Sequence, residues 1–458
     1  MTLETDVAII GSGYSAVALA LNLVDLLPPA ARVSLVGRAA GQGRGIAYAT
    51  RAECHLLNVP AGRMSLFADR PNHFLAWLAG QGFPWSADDF VPRRIYGSYV
   101  RDCLDEAMKR TGNRAALTLV DAEALGAEAG QDGGLVFALS GGGRLSARVS
   151  ALCTGAGTRR LPLPEDAVPS AARAFVVEDP WADAWWERLP ADADVLFVGT
   201  GLTTIDQMLL LRRRGFRGTM HALSRHGLLP QPHLARRADP VETVLVPGEG
   251  EVSAMLATLR RQAAAAPDWR AVMDGLRPVT QDLWKGWSAS QRGRFLRHVA
   301  AFWNVHRHRM APAVAEEIAA LRRSGQLVVH RGRLEALRLA DGGLAAVLRD
   351  GRTLATRLVV NCTGLDRCTV AASPLLASLA GRGLVQPDPH GLGIRVDDRA
   401  AVLAGEGVGR ARLYALGPLT AGHFFEITAV PDIRVQARAV AASIHAEIAA
   451  GGRKAWMS

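Results

Sequence analysis

Asp6-Val-Ala-Ile-Ile-Gly11-Ser-Gly13-Tyr-Ser-Ala16 is an apolar run of strand character that breaks at G-x-G-x-x-A and continues as a helix. Asp194-Val-Leu-Phe-Val-Gly199-Thr-Gly201-Leu-Thr-Thr204 repeats the pattern as G-x-G-x-x-T. In such a turn the first glycine permits the sharp reversal and the second lets the backbone approach a pyrophosphate. The phosphates then meet the free amides and the positive dipole end of the following helix. One turn alone is weak evidence. Two in one chain, each behind a buried strand, predict an enzyme that brings together two dinucleotides, most simply a flavin and a nicotinamide.

The first turn opens a βαβ unit: strand Asp6–Gly11, helix Tyr14–Leu27, a Pro28-Pro29 break and strand Arg32–Val36. Gly11, Ser12, Gly13, Tyr14, Ser15 and Ala16 are the expected FAD pyrophosphate contacts. An acidic side chain commonly follows such a second strand, about 20 residues past the glycines, and holds a ribose hydroxyl. Gly37 stands there instead, followed by Arg38. Either backbone and other groups hold the ribose, or Arg38 contacts the adenosine end.

At the second turn the expected contacts are Gly199, Gly201, Leu202, Thr203 and Thr204, and the place of the acid holds Ser224-Arg225. A carboxylate there would accept the 2′-hydroxyl of NAD and repel a 2′-phosphate. An arginine grips phosphate through two parallel hydrogen bonds, so this pair predicts NADP(H). The plainer alternative is that Arg225 is a solvated surface arginine like Arg212–Arg214 and Arg217.

A second repeated element is a strand ending in Cys-Thr-Gly, at Cys153-Thr154-Gly155 and again at Cys362-Thr363-Gly364. Thr154, Gly155 and Gly364 are expected beside the cofactors, where the chain crosses between domains. Arg44 within the glycine-rich loop Gly41–Gly45, and His55 and Asn58 after it, are expected near the flavin, with a structural role for His55 as the alternative. Near the C-terminus Gly417, Pro418 and Thr420 stand where flavoproteins return to the flavin, with Gly-Pro replacing the more usual Gly-Asp. The adjacent His423 either reaches the cofactor or substrate or is structural. Residues 250–324 read as helical, and Arg294, Arg297 and His298 are candidates for an anionic substrate, or simply a solvated basic face. Strands resume near Leu327, with hairpins at Asp341-Gly-Gly and Asp350-Gly.

The chain has 458 residues, 49% apolar and 21% charged, as expected for two or three packed domains. No apolar run is long enough to span a membrane, and Met1-Thr-Leu-Glu-Thr-Asp6 leaves no room for a signal peptide, so a cytoplasmic protein is expected. The net charge of +10 raises nucleic acid as a partner. However, the arginines are scattered, only Lys109, Lys285 and Lys454 are lysines, and no nucleic-acid-binding signature is present. The five cysteines form no C-x-x-C pair and no metal spacing, which argues against a dithiol flavin reductase and against a metal site.

Ile-Ile-Gly11-Ser-Gly13-Tyr-Ser-Ala, Arg44-Gly-Ile-Ala-Tyr48, His55-Leu-Leu-Asn-Val-Pro60, Met64-Ser65 and His73-Phe74-Leu-Ala-Trp77 together resemble the YdhS-like FAD/NAD(P)-binding protein family. So do Ala222-Leu-Ser-Arg225-His-Gly-Leu-Leu-Pro230 and the stretch from Gly417 through Ile427-Thr-Ala-Val-Pro-Asp-Ile-Arg434. The resemblance implies FAD and NAD(P)H, and a relationship to N-hydroxylating monooxygenases.

The expected fold class is α/β, with two Rossmann-like dinucleotide-binding domains, the FAD domain split around an inserted NADP domain, plus a helical segment. The expected divisions are 1–160 (FAD domain, first part), 161–249 (NAD(P) domain, first part), 250–324 (helical, substrate side), 325–364 (return strands and crossover) and 365–458 (FAD domain, second part). The expected activity is NADPH-driven hydroxylation of a small nucleophilic, amine-like substrate through a flavin hydroperoxide. The alternatives are a flavin dehydrogenase or reductase with another acceptor, and a non-catalytic nucleotide-binding regulator. The expected partner is a small molecule, anionic or amine-bearing, with neither nucleic acid nor membrane. No catalytic acid or base is assigned, and the oligomeric state is left open.

Overall fold

The computed structural model describes residues 2–38, 43–110, 114–157, 160–182, 184–236, 238–248, 250–364 and 369–454, without the side chains of 132 and 451–454. The earlier strands are β1 (Thr2–Ile10), β2 (Arg32–Val36), β3 (Ala116–Val120), β4 (Ala124–Ala129), β5 (Leu135–Leu139), β6 (Arg144–Leu152) and β7 (Val176–Val177). There follow β8 (Val195–Val198), β9 (Met220–Ser224), β10 (Leu327–Arg331), β11 (Leu334–Ala340), β12 (Gly343–Leu348), β13 (Thr353–Thr356), β14 (Leu358–Asn361) and β15 (Leu413–Ala415). The chain divides into two compact units. One comprises Met1–Arg51, Val59–Gly157 and Arg367–Ser458, and the other Ala52–Asn58 and Thr158–Asp366.

The first unit is built on a seven-stranded sheet of order β3-β2-β1-β6-β5-β4, with β15 also on β6. β1 lies parallel between β2 and β6, in register Ile10↔Val36 and Ile10↔Leu152. A strand covered on both faces reads as a continuous apolar run, and Val7–Ile10 are all buried. β6 changes partners along its length, its first half pairing antiparallel β5 and its last residues pairing parallel β15. The alanine- and leucine-rich helix Tyr14–Leu26 packs on the C-terminal helix Val430–Lys454 and on Arg93–Lys109.

The second unit repeats this plan. Its parallel sheet runs β10-β9-β8-β14-β7, with a separate antiparallel sheet β11-β12-β13 inserted before β14. In both units the glycine turn follows the central strand, two parallel strands lie to one side, and the strand ending in Cys-Thr-Gly lies to the other. Both expected hairpins are present, as β11–β12 and β12–β13. Residues 161–190, rich in proline and tryptophan, supply the edge strand β7 beside β14. At two residues, β7 is too short to leave a periodic signal in sequence. Between β9 and β10 the chain forms helices from Val252–Ala265 to Pro312–Arg323. Among the described residues no helix is long and apolar enough to cross a membrane, and no group of three or more His, Cys, Asp and Glu side chains is placed to hold a metal.

Candidate functional site

The two glycine turns share one geometry. Gly11 has φ +125° and Gly199 φ +117°, values open only to glycine without strain. A Cβ on Gly11 would stand 2.3 Å from the Cys153 carbonyl oxygen, and one on Gly199 would stand 2.1 Å from that of Cys362. The Gly11 amide donates to the Val36 carbonyl and the Gly199 amide to that of Leu223, each at 2.8 Å. The Cys153 amide donates to the Ile10 carbonyl at 2.7 Å and the Cys362 amide to the Val198 carbonyl at 2.8 Å. Each Cys-Thr-Gly strand end is therefore seated against the first glycine of its own turn. That contact explains why the two motifs recur together.

The second glycines, Gly13 and Gly201, begin their helices in the extended region, and no side chain caps either helix. A helix start leaves amides without intrahelical partners, and here no serine, threonine or aspartate satisfies them. The nearest atom to a Cβ on Gly13 would be the Gly45 Cα at 3.5 Å, and a Cβ on Gly201 would meet nothing within 4 Å. The space before each helix is thus kept clear by the lack of side chains, which fits a pyrophosphate at both turns.

In the first unit four segments converge on the turn. The Gly43 amide donates to the Ser12 carbonyl at 2.8 Å, and Gly45 (φ +54°) abuts Gly13. Residues 39–42, including Gly41, lie outside the described residues. Arg44 packs its chain against Gly97 of the helix Arg93–Lys109. Thr154 and Gly155 follow β6, with Thr154 exposed. Gly417 (φ +73°) crosses Ser15 so closely that a Cβ would be 2.5 Å from its Oγ. Ala16 is buried in the helix, and Tyr14 packs inward near Tyr48 and Tyr96.

The Gly417–Thr420 turn is held by a residue that motif reading missed. Gln436 Oε1 accepts the Gly417 amide at 2.9 Å, and its Nε2 donates to Thr420 Oγ1 at 3.0 Å. Thr420 in turn donates to the Gly417 carbonyl at 2.8 Å. The signal was a glutamine on the otherwise apolar buried face of an amphipathic helix, between Ile433 and Val440. Pro418 occupies the first turn of this short 3-10 helix. His423 Nε2 is 2.9 Å from Asp398 Oδ1, and its ring meets Phe424 edge-on.

The missing acid at Gly37 has a steric cause, since a Cβ there would lie 2.5 Å from the Ser12 Cβ. Arg38 donates to Glu123 at 2.6 Å, which raises its affinity for its proton, as does Asp121. In the second unit the corresponding side chains touch differently. Ser224 Oγ lies 2.9 Å from Thr200 Oγ1 and accepts the Gly227 amide at 3.1 Å. Arg225 is exposed. Thr204 is buried with its hydroxyl donating to the Gly199 carbonyl at 2.9 Å, while Leu202 and Thr203 are partly exposed. Gly364 (φ +90°) is exposed beyond β14, and Thr363 Oγ1 donates to Asn361 Oδ1 at 2.7 Å.

His55 and Asn58 fall in the short segment assigned to the second unit. His55 is buried, its Nε2 donating to the Asp206 carbonyl at 3.0 Å, with Trp181 edge-on to its ring. The Asn58 carbonyl accepts from His233 Nε2 at 3.1 Å. Arg294 pairs with Glu251 at 3.1 Å, and Arg297 and His298 are exposed in the last turn of the helix Ala289–His298. Burial pushes the Cys54 thiol up to about 11 and the Cys103 and Cys362 thiols up to about 12, and raises Cys153 further. None of these four is a thiolate at neutral pH, and Cys368 lies outside the described residues.

Residues 8–157 match the family model described as FAD-NAD(P)-binding. No curated protein matches the chain in sequence. Among solved structures, the ornithine N-hydroxylase KtzI of Kutzneria sp. 744, with reduced FAD, NADP+ and L-ornithine, is similar at 15% identity and a TM-score of 0.65, over 97% of this chain and 99% of that one. The ornithine hydroxylase PvdA of Pseudomonas aeruginosa, in reduced form, gives 16% and 0.63 over the same shares. The bacillithiol disulfide reductase of Bacillus cereus gives 13% and 0.56, again over 97% and 99%. At these identities the likeness is one of fold. The chain has the two-dinucleotide-binding-domain fold of these flavoproteins, and its residues 8–157 match an FAD-NAD(P)-binding family model.

Proposed function

We propose that the first unit holds FAD, that the second holds NADP(H), and that the protein is a monooxygenase hydroxylating a small amine-like nucleophile. The doubled turn carries this reading. Two separate, uncapped helix starts, each cleared by glycine and seated on its own Cys-Thr-Gly strand end, are two places for a dinucleotide. The first is assigned to FAD because Gly417 and the Gln436-held turn close on Ser15. The second is assigned to NADP(H) because Arg225 follows its second strand. The family resemblance drawn from sequence is part of the same proposal.

The chemistry supplied by a bound flavin is acceptance of hydride from the nicotinamide and delivery of two electrons to dioxygen. In balance, NADPH, dioxygen, substrate and a proton give NADP+, hydroxylated substrate and water. The contribution of this chain is positional: the two turns orient the pyrophosphates, and the Gly417–Thr420 turn offers a fixed strand end beside Ser15. Gln436 keeps that turn rigid from behind. The raised thiols, and the lack of a C-x-x-C pair in the sequence, weigh against the dithiol chemistry of a disulfide reductase.

The test is turnover of FAD-loaded protein with NADPH against a panel of primary amines and amino acids. The expected result is a product heavier by one oxygen, formed in proportion to NADPH consumed. Oxygen recovered wholly as hydrogen peroxide across the panel, with fast electron transfer to an artificial acceptor, would replace this reading with a dehydrogenase.

A further inference from the structure

We infer that Arg331 and Arg333, at the end of β10, join Arg225 in gripping the 2′-phosphate of NADP(H), while Ser224 holds the turn instead of the phosphate. The inference rests on the reading of the second unit as the nicotinamide domain and adds residues from a strand that the glycine motif does not reach.

β9 and β10 run parallel and in register, with Ser224 opposite Arg331. Arg225 and Arg333 therefore leave the sheet at the same edge as Arg331. Gly199 is bonded to Leu223 at that edge, so the nucleotide turn opens there. The connection is tight: the Gly332 amide donates to the Ser224 carbonyl at 2.9 Å. Gly227 (φ +63°) passes so near that a Cβ on it would lie 3.3 Å from the Arg331 Cβ. Arg331 thus starts directly beside the Ser224–Gly227 turn.

The charges that act on His226 are all of one sign, while Arg352, which donates to the Arg331 carbonyl, is already paired with Asp350 at 2.7 Å. His226 is held below the usual histidine range first by burial and then by Arg225, Arg331 and Arg333 in turn. All three arginines are exposed, and none has a guanidinium hydrogen bond or ion pair among the described residues. Three like charges gathered at one strand end favour an anion among them, and a phosphate dianion with three acceptor oxygens meets that need. The first unit supplies the contrast. Its arginine in the matching place, Arg38, is neutralised by Glu123 at 2.6 Å with Asp121 nearby, as suits a dinucleotide that carries no 2′-phosphate. The Ser224 Oγ accepts from the Gly227 amide at 3.1 Å and lies 2.9 Å from Thr200 Oγ1, contacts that tie its side chain to the turn.

The experiment is calorimetric titration of FAD-loaded full-length protein with NADPH, NADH and 2′,5′-ADP. Arg331→Ala and Arg333→Ala are each expected to weaken NADPH and 2′,5′-ADP about tenfold, the loss of one charge-assisted contact, and to leave NADH within about twofold. Arg331→Gln and Arg333→Gln, with melting temperatures recorded, guard against loss of fold. Ser224→Ala is expected to change NADPH and NADH by the same factor. Arginine variants that weaken NADPH and NADH alike, or neither, overturn the inference. If the unsubstituted protein binds NADPH and NADH equally, the 2′-phosphate assignment fails while the dinucleotide reading stands. If it binds neither, the reading of the second unit fails as well.

Discussion

Replacing Gly199 by alanine tests whether the two turns act independently. The added Cβ would stand 2.1 Å from the Cys362 carbonyl oxygen and 2.6 Å from its carbon, where real contacts stay beyond 3.0 Å. β8 and β14 must therefore separate by roughly 1 Å at their ends, in a core packed too densely to yield that distance freely. Overpacking of this kind costs about 1–3 kcal/mol. An alanine held near φ +117° adds about 1–3 kcal/mol more of backbone strain. The total, about 2–6 kcal/mol, lies within the stability of a typical domain, so a folded but distorted second unit is expected. The displaced amides of Thr200 to Leu202 should then lose NADPH by at least about a hundredfold, equivalent to about 2.7 kcal/mol. Titration calorimetry reads that loss, and the absorbance of the purified variant reads the flavin. NADPH binding lost with flavin retained supports the assignment. Flavin lost with NADPH binding intact would refute it.

Gln436→Leu removes both bonds that hold the Gly417–Thr420 turn and leaves a buried amide without its acceptor, a cost of about 1–3 kcal/mol. Fluorescence of released flavin should show weaker FAD retention, with no change in NADPH affinity. Gly37→Asp installs the acid usual for a ribose contact, yet it should lower FAD retention, because its Cβ meets Ser12 at 2.5 Å. Adding Ser12→Gly should recover it, and a Gly37→Asp variant that binds FAD more tightly alone would contradict the steric account. His233 is pushed down to about 4, chiefly by burial and then by Arg309. The unfolded chain takes up this proton below about pH 6.5 while the folded one does not, so stability should fall from pH 6.5 toward 4, by up to about 3 kcal/mol. Denaturant unfolding of His233→Gln should show a shallower decline over that window, and parallel curves would argue against it.

The doubled architecture was legible because its signals are local. A buried apolar strand, two glycines and a helix occupy eleven consecutive residues, and both copies form as read. The recurrence of Cys-Thr-Gly was visible too, but its cause was not. The cause is that Cys153 and Cys362 supply the carbonyl oxygens on which Gly11 and Gly199 rest, contacts spanning more than a hundred residues. Gln436 was hidden for a similar reason, because one polar residue in a helix carries no spacing to read. Gly37 looked like a missing ligand, whereas it is a packing requirement set by Ser12. Arg331 ends a strand more than a hundred residues beyond the second turn and Arg333 follows it in the next loop, and only the β9–β10 register brings them to its edge. The helical segment was recognised as helical, but the exposed Arg297 and His298 at a helix end are equally suited to its dipole, so composition alone does not make them a substrate site.

The visible spectrum of the purified protein, reconstituted with FAD, before and after anaerobic addition of NADPH, reports whether one chain holds two dinucleotides that exchange hydride. One flavin per chain is expected, with bleaching by one equivalent of NADPH, faster than by NADH. Protein that retains no flavin, or flavin that stays oxidised in the presence of excess NADPH, would contradict it.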